Sequence, residues 1–377
     1  MKQGTLLIHN GHESDPATGA LGTAIIQTST FAQTDLTKHP EFDYARSGNP
    51  TRKALEEMIA TLEGGAKGYA FGSGLAAISS VIGVLAAGDH LITAEDIYGG
   101  TFRILNTFYK RWGLEVTAVN TADPDNIRRA IKPNTKALYL ETPSNPLLKI
   151  TDLPACLAIA RETGLISIVD NTFMSPYIQR PLELGADIVV HSATKFLGGH
   201  SDVVLGLAVT RNEELGQRVY ALQNSFGAVP GPWDVWLVIR GIKTLKVRLD
   251  AQQASALKLA RWLQSHKKVT AVYYPGLEGH PGKAIHEKQA SGAGAVLSFK
   301  TETTAQALDF LGKIKYTVVA ESLGGVESNA TYPVRMSHAS MPPAERERLG
   351  ITDTLIRISL GLEDVEDLIA DFDQALG

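Results

Sequence analysis

A single cysteine, Cys156, stands in 377 residues. One thiol cannot close a disulfide within the chain or build a cysteine-ligated metal site. It fits a reducing compartment. An excess of one charge is missing as well: 36 basic residues against 40 acidic ones leave a net −4, which favours neither nucleic acid nor an anionic membrane as partner. Long apolar runs are absent. The most apolar helical stretch, Ala76 to Ala87, falls short of the about 20 residues that span a bilayer. The opening MKQGTLLIHNGHESD has no signal-peptide core. No repeat or low-complexity segment stands out. A cytosolic globular protein is expected, of two or three domains by length. Ten histidines are present, but HEKQA at 286–290 lacks the second histidine of H-E-x-x-H. His9 and His12 fall in an aperiodic stretch and are read as structural or solvated, so no metal is expected.

What is present is an alternating pattern. The first ~45 residues, rich in Thr, Gly, Gln and His, have no clear period and read as an extended arm. A helix then begins at Asn49, a plausible N-cap, with Pro50 in the first helical position. Leu55, Met58, Ile59 and Leu62 lie on one face, and Gly64-Gly65 ends it. Candidate strands follow at 67–71, 90–94, 114–119, 136–141, 165–170, 187–191 and 203–209, separated mostly by helical patterns at 75–87, 99–111, 123–131, 152–163 and 179–184. Such alternation predicts a mostly parallel sheet with helices on both faces. Near residue 245 the pattern changes. A long helix at 246–265, the expected hinge, leads into strands 269–273, 294–300, 316–320 and 354–360 with helices 305–314 and 365–376. The expected organisation is an arm (1–48), a large domain (49–245) and a smaller α+β domain (246–377).

In open α/β sheets ligands bind beyond the carboxyl ends of the strands. Polar residues collect there: Gly72-Ser73-Gly74-Leu75 opening a helix, then Asp96 and Tyr98, Glu141 to Asn145, Asp170, and Ser192, Thr194 and Lys195. Each has two readings. Gly72 and Gly74 make either a tight turn or a helix N-terminus that holds a phosphate. Tyr98 is either core or a surface for a flat ring. Asp170 is either a turn residue or a buried acid needing a cationic partner. Lys195, among small residues after a fully apolar run, is not placed like a solvated lysine. A desolvated amine has a lowered pKa and can form a Schiff base with an aldehyde. Pyridoxal phosphate is the aldehyde cofactor that needs such a lysine, with an acid at its pyridine nitrogen, anion donors for its phosphate and a flat surface for its ring. All four stand on one rim, with Ser192 and Thr194 as hydroxyl donors to the phosphate.

Two other classes compete. Gly72-x-Gly74-x-x-Ala77 matches G-x-G-x-x-A, with Glu95 where a ribose-binding acid would fall, so an NAD-dependent oxidoreductase is a rival. It leaves Asp170, Ser192, Thr194 and Lys195 without work. A non-catalytic binding protein on the same fold is the other, and Lys195 with Asp170 argues against it.

At this point a resemblance emerges. YARSGNPT (44–51), FGSGLAAI (71–78), DIYGGTFR (96–103), ETPSNP (141–146), VDNTF (169–173), HSATKFLGGHSDVV (191–204), AESLGGVES (320–328) and LIRISLGLED (355–364) are similar, in order and over nearly the whole chain, to the Cys/Met metabolism family of pyridoxal-phosphate enzymes, the trans-sulfuration enzymes. The resemblance implies the aspartate-aminotransferase-like fold (fold type I), with a mostly parallel seven-stranded sheet and a smaller C-terminal α+β domain. It implies a homotetramer built from dimers that share active sites. By it, Lys195 is the Schiff-base lysine, Asp170 the pyridine-nitrogen partner and Tyr98 the stacking ring. Gly74, Leu75, Ser192 and Thr194 hold the phosphate. Tyr44 and Arg46 reach the phosphate of the neighbouring subunit. Asn145 and Arg357 hold the substrate α-carboxylate, Asn145 also lying near the cofactor ring, and Glu321 with Ser322 belongs to the substrate site. Read without the family, Arg357 would be an exposed edge arginine; with it, a bidentate clamp.

Within the family the pattern implies γ-cleavage of L-cystathionine to L-cysteine, 2-oxobutanoate and ammonia, with sulfide release from cysteine or homocysteine as a further activity. Glu321 and NSFGAVPGP (224–232) match γ-lyases, and Gly100 stands where methionine γ-lyases usually have a cysteine. Cystathionine β-lyase and cystathionine γ-synthase are the alternatives. Asn329, Phe102 and Trp233 depart from the usual residues and bear on substrate contacts.

Overall fold

Two helices frame the start of the computed structural model, which describes residues 1–10, 14, 15 and 18–377; His12 lies outside the described residues. Helix α1 (Gln3–His9) precedes helix α2 (Pro50–Glu63). In α2 the sequence signals act as expected. Asn49 Oδ1 accepts from the backbone N–H groups of Thr51 at 2.9 Å and Arg52 at 3.2 Å, and Gly64 closes the helix at φ 73°. Leu55, Met58, Ile59 and Leu62 are fully buried. At about 1.5–3 kcal/mol per buried side chain, that face outweighs a cap worth about 1 kcal/mol.

Helix α1 corrects the expectation of an extended arm from the first residue. Its one buried side chain is Leu7, too few to make a period. Long-range polar contacts pin it instead: Gln3 Nε2 donates to the Leu62 carbonyl at 3.2 Å and Asn10 Nδ2 to that of Met58 at 2.7 Å. His9 is exposed in its last turn.

The large sheet contains β1 (Lys67–Phe71), β2 (His90–Ala94), β3 (Glu115–Val119), β4 (Thr135–Glu141), β5 (Ile166–Asp170), β6 (Ile188–Ser192) and β7 (Gly206–Thr210). Their spatial order is β1-β7-β6-β5-β4-β2-β3. β7 runs antiparallel to both β1 and β6, and the remaining pairs are parallel. This order removes the dinucleotide reading. A Rossmann fingerprint needs β1 and β2 as adjacent parallel strands joined by the first helix; here β7, β6, β5 and β4 lie between them. Glu95 is also engaged elsewhere, with Arg348 at 2.9 Å and Lys149 at 3.4 Å.

The smaller sheet contains β8 (Val269–Tyr273), β9 (Val296–Thr301), β10 (Val318–Val319), β11 (Asn329–Thr331) and β12 (Leu355–Ser359), in the order β10-β11-β12-β9-β8. The long helix Leu245–Ser265 packs against β8 and β9. Ile356 and Ile358 face the small hydrophobic core, so the alternation places Leu355, Arg357 and Ser359 on the other face. β12 is an interior strand of the sheet, and Arg357 is buried, not an exposed edge residue.

Several elements had no counterpart in the sequence pattern: helices Glu213–Phe226, Pro232–Ile242, Lys283–Gln289 and Pro343–Leu349, and strand β11. Glu213–Phe226 buries Leu215, Gly216, Val219 and Gln223; a glycine and a glutamine on the inner face hide the period. The expected helix 99–111 is a six-residue α-helix, Gly99–Ile104, followed by a π turn, Leu105–Tyr109, and a 3-10 turn, Lys110–Trp112. The 179–184 pattern is one four-residue helix, Pro181–Leu184, preceded by a further short helix, Ser175–Ile178; the break falls ahead of Pro181, as the restriction on the residue preceding proline requires. Among the described residues no helix is long and apolar enough to cross a membrane.

Candidate active site

A cavity of about 440 Å³ opens beyond the carboxyl ends of β4, β5 and β6, with the smaller sheet as its far wall. Helix α3 (Gly74–Ile82) points its N-terminus into it. Ser73 caps this helix, its Oγ accepting from Ala76 N–H at 3.1 Å. That leaves the first-turn N–H groups of Gly74 and Leu75 without intrahelical partners, the arrangement that holds an anion. Glycine is required at this point by proximity: a Cβ on Gly74 would lie 2.7 Å from Ser192 Cβ, and one on Gly206 would lie 2.1 Å from the Ser73 carbonyl oxygen.

Asp170 closes β5. It accepts from Tyr139 Oη at 3.1 Å, Thr172 N–H at 3.0 Å and Thr172 Oγ1 at 2.6 Å. The Thr172 hydroxyl in turn accepts from Ser192 N–H at 2.9 Å, which ties the acid to the end of β6 beside the Gly74 helix N-terminus. Burial raises the Asp170 pKa, and the Thr172 hydrogen bonds oppose the shift. The Thr194 hydroxyl lines the cavity while exchanging hydrogen bonds with the Leu205 backbone, at 3.0 and 3.3 Å.

Lys195 follows β6. Burial, helped by the Arg357 charge and opposed by Glu321, pulls its amine down to about 8. Its Nζ donates to Ser322 Oγ at 2.7 Å. Arg357 reaches the same cavity from β12. Its Nη1 donates to Asn145 Oδ1 at 2.9 Å, and its Nη2 to the Ser322 carbonyl at 2.7 Å and Thr331 Oγ1 at 2.8 Å. Its buried Nε has no hydrogen-bond partner among the described residues. Burial lowers the guanidinium to about 10, with Glu321 opposing, so it remains cationic at neutral pH. A substrate carboxylate can satisfy that free donor.

Tyr98 stands at the cavity wall with its backbone N–H donating to Glu141 Oε2 at 2.8 Å. A Cβ on Gly100 would come within 2.3 Å of the Tyr98 ring, so a side chain there must displace the ring. Tyr44 and Arg46 do not join this cavity. Arg46 Nη1 donates to the Asn224 carbonyl at 2.7 Å and to Asn224 Oδ1 at 3.1 Å, and Tyr44 is exposed. Arg52, buried in α2, holds the backbone of this segment through Ala45 O at 2.7 Å and Arg46 O at 3.1 Å.

Arg103 and Glu141 also line the cavity without having been singled out by role. Arg103 closes the DIYGGTFR stretch and is the second arginine of the cavity. Of the unusual residues, Asn329 supports Glu321 from beneath, its Nδ2 donating to the Glu321 carbonyl at 3.4 Å. Trp233 is exposed and stacks on Trp236 at 5.9 Å. Phe102 is partly buried against the core.

A desolvated lysine, a buried acid, a ring surface and an anion cradle around one cavity define a pyridoxal-phosphate-dependent enzyme. Residues 4–377 match the family described as Cys/Met metabolism PLP-dependent enzyme, and the chain belongs to that family. It is 53% identical over 372 residues to cystathionine beta-lyase MetC of Bacillus subtilis, covering 99% of this chain and 95% of that one. It is 50% identical over 376 residues to cystathionine gamma-lyase of the same organism, covering 100% and 99%. Cystathionine gamma-lyase from Lactobacillus plantarum, solved with L-serine, superposes with a TM-score of 0.97 at 46% identity, covering 100% of this chain and 98% of that one. Cystathionine gamma synthase from Xanthomonas oryzae pv. oryzae gives 0.97 at 40% identity with the same coverage. The fold is the aspartate-aminotransferase-like one, and the cofactor is pyridoxal phosphate.

Proposed function

We propose that this pyridoxal-phosphate-dependent carbon–sulfur lyase cleaves L-cystathionine at the γ-carbon–sulfur bond, releasing L-cysteine, 2-oxobutanoate and ammonia. The observation that carries the choice is Glu321, which lines the cavity beside Lys195 and Arg357 and acts electrostatically on both. The two arginines of the cavity suit a substrate with two carboxylates: Arg357 with Asn145 takes the α-carboxylate at the reacting end, and Arg103 the distal one.

The residues fit the cofactor. The Gly74 and Leu75 N–H groups, with Ser192 and Thr194, would hold its phosphate. Asp170 would pair with its pyridine nitrogen, Tyr98 would cover its ring, and Lys195 would carry it through its amine, condensing with the aldehyde with loss of water. When bound, the cofactor supplies the electron sink for breaking the α-carbon–hydrogen and γ-carbon–sulfur bonds. Asp170, carrying negative charge, would favour a proton on the pyridine nitrogen. Lys195 Nζ, once the substrate amine has freed it and with a proton affinity brought near neutrality, would take the α-proton, hand it back to the bound substrate–cofactor system, and so be free to take a β-proton. Ser322 Oγ accepts a hydrogen bond from that amine and keeps it beside the clamp. The Tyr98 hydroxyl delivers a proton to the departing sulfur.

The same reading takes the working protein as a cytoplasmic homotetramer of two dimers in which Tyr44 and Arg46 complete the neighbour's phosphate site. Residues 49–245 and 246–377 form its cofactor and C-terminal domains. It includes sulfide release from cysteine or homocysteine. A second reading, β-cleavage to pyruvate, is favoured by the 53% identity to a cystathionine beta-lyase. The test is the keto acid formed from L-cystathionine, identified by mass spectrometry. Predominant 2-oxobutanoate supports γ-cleavage; predominant pyruvate assigns the enzyme to β-cleavage.

A further inference from the structure

Two carboxyl groups lie one strand apart at the floor of the cavity. Glu141 ends β4, Asp170 ends β5, and the two residues pair across the parallel ladder, where strands run about 4.8 Å apart. Both line the cavity and both are buried, at 6% and 7% exposure. Two carboxyl groups side by side in so dry a place disfavour ionising together.

The surrounding groups decide which keeps its proton. Asp170 has three donors, from Tyr139 and Thr172. Glu141 has the Tyr98 N–H at 2.8 Å and the Asn145 backbone. Asp96, on the segment after β2, adds a third acid nearby. Of the cations of the region, Lys149 lies with Glu95 at 3.4 Å and Asp96 at 3.7 Å, Lys195 with Ser322 and Arg357 with Asn145, while Arg103 lines the cavity and acts on Tyr98. His191, on β6, acts on Asp170 and is itself bonded to the buried Glu63 at 2.6 Å.

We propose that Glu141 is a positioning residue that works as a neutral carboxylic acid, leaving the charge of the pair on Asp170 while anchoring the Tyr98 backbone at the cavity wall. Burial, with Asp170 and Asp96 alongside, pushes the Glu141 carboxyl well above the usual carboxylate range. A charged Glu141 would compete with Asp170 for the positive charge that the pyridine nitrogen brings. The inference rests on the cavity being the cofactor site, and it is independent of which carbon–sulfur bond is broken.

The test is an infrared difference spectrum of wild type against Glu141→Gln near neutral pH, for apoenzyme and holoenzyme. The expected result is a protonated-carboxyl C=O band in wild type that the variant lacks. A glutamine side chain is isosteric with the neutral acid, so Glu141→Gln retains pyridoxal phosphate and the pH dependence of the bound cofactor's absorbance. Glu141→Ala, which frees the Tyr98 N–H, loosens the cofactor by up to about tenfold, the upper range for one neutral hydrogen bond. Absence of the band in wild type overturns the proposal. So does a Glu141→Gln protein whose spectral pH profile moves by about one unit, a tenfold change in proton affinity. Failure of the cofactor reading itself would look different, as wild type that shows no cofactor absorbance at all.

Discussion

Lys195 Nζ donates to Ser322 Oγ at 2.7 Å, and the Ser322 carbonyl accepts from Arg357 Nη2 at the same distance. Ser322 does this from a left-handed backbone, φ 92°, a conformation that costs a non-glycine residue on the order of 1–3 kcal/mol. One strained residue on the segment after β10 thus sets the spacing between the amine and the guanidinium.

Arg357 is therefore more than a charge. Its planar fork spans Asn145, Ser322 and Thr331 on three separate segments, and a lysine has one donor head in place of that fork. Arg357→Lys and Arg357→Ala are expected to lower kcat/KM for L-cystathionine by tenfold to a few hundredfold. The basis is about 1.5–3 kcal/mol per charged hydrogen bond and about 1.4 kcal/mol per factor of ten. Steady-state kinetics beside the cofactor absorbance checks this: cofactor content stays at the wild-type level while KM rises.

The depressed amine of Lys195 gives a pH signature in the apoenzyme. A lysine near 8 is protonated below that pH and becomes nucleophilic as pH rises through it, well before an ordinary lysine at about 10.4. Acylation of Lys195, followed by peptide mass spectrometry, is expected to increase with pH through a midpoint at about 8. Glu321 favours the charged amine and Arg357 disfavours it, so Glu321→Gln moves the midpoint down and Arg357→Met moves it up. A midpoint near the ordinary lysine value removes the basis for Lys195 as proton carrier.

Arg46 tests the shared site. It contributes nothing to the cavity of its own chain, where it bonds Asn224. Arg46→Ala is expected to weaken cofactor retention by about tenfold, the loss of one charged hydrogen bond to phosphate, with the thermal stability of the subunit unchanged. Dialysis against phosphate buffer with absorbance readings follows the loss. Equal retention in wild type and variant rules out the neighbour's phosphate as its partner.

Much of this was legible in local chemistry. Asn49, Pro50 and Gly64 mark α2 because caps act within a few residues, and Asp170 and Lys195 follow apolar runs that announce buried strands. What was not legible depends on long-range contact. Leu7 alone could not signal α1, whose anchors are the carbonyls of Met58 and Leu62. Nothing in the G-x-G-x-x-A match reveals that β1 and β2 stand apart in the sheet. Glu141 gained meaning only when the ladder set it beside Asp170. Arg357 looked like an edge residue until β11 and β9 enclosed its strand.

The position of β1 has a consequence for biosynthesis. Its only strand neighbour among the described residues is β7, Lys67 lying opposite Thr210 and Phe71 opposite Gly206. On a ribosome adding about 5–20 residues per second, Tyr69-Ala70-Phe71 waits on the order of ten seconds for a partner. β7 must then dock between β1 and β6 together. That docking also brings Gly206 against Ser73 and completes the setting in which Gly74 meets Ser192. The meeting of the Gly74 helix N-terminus with Ser192 is thus a late product of translation, and a nascent chain cut short of β7 lacks that wall of the cavity.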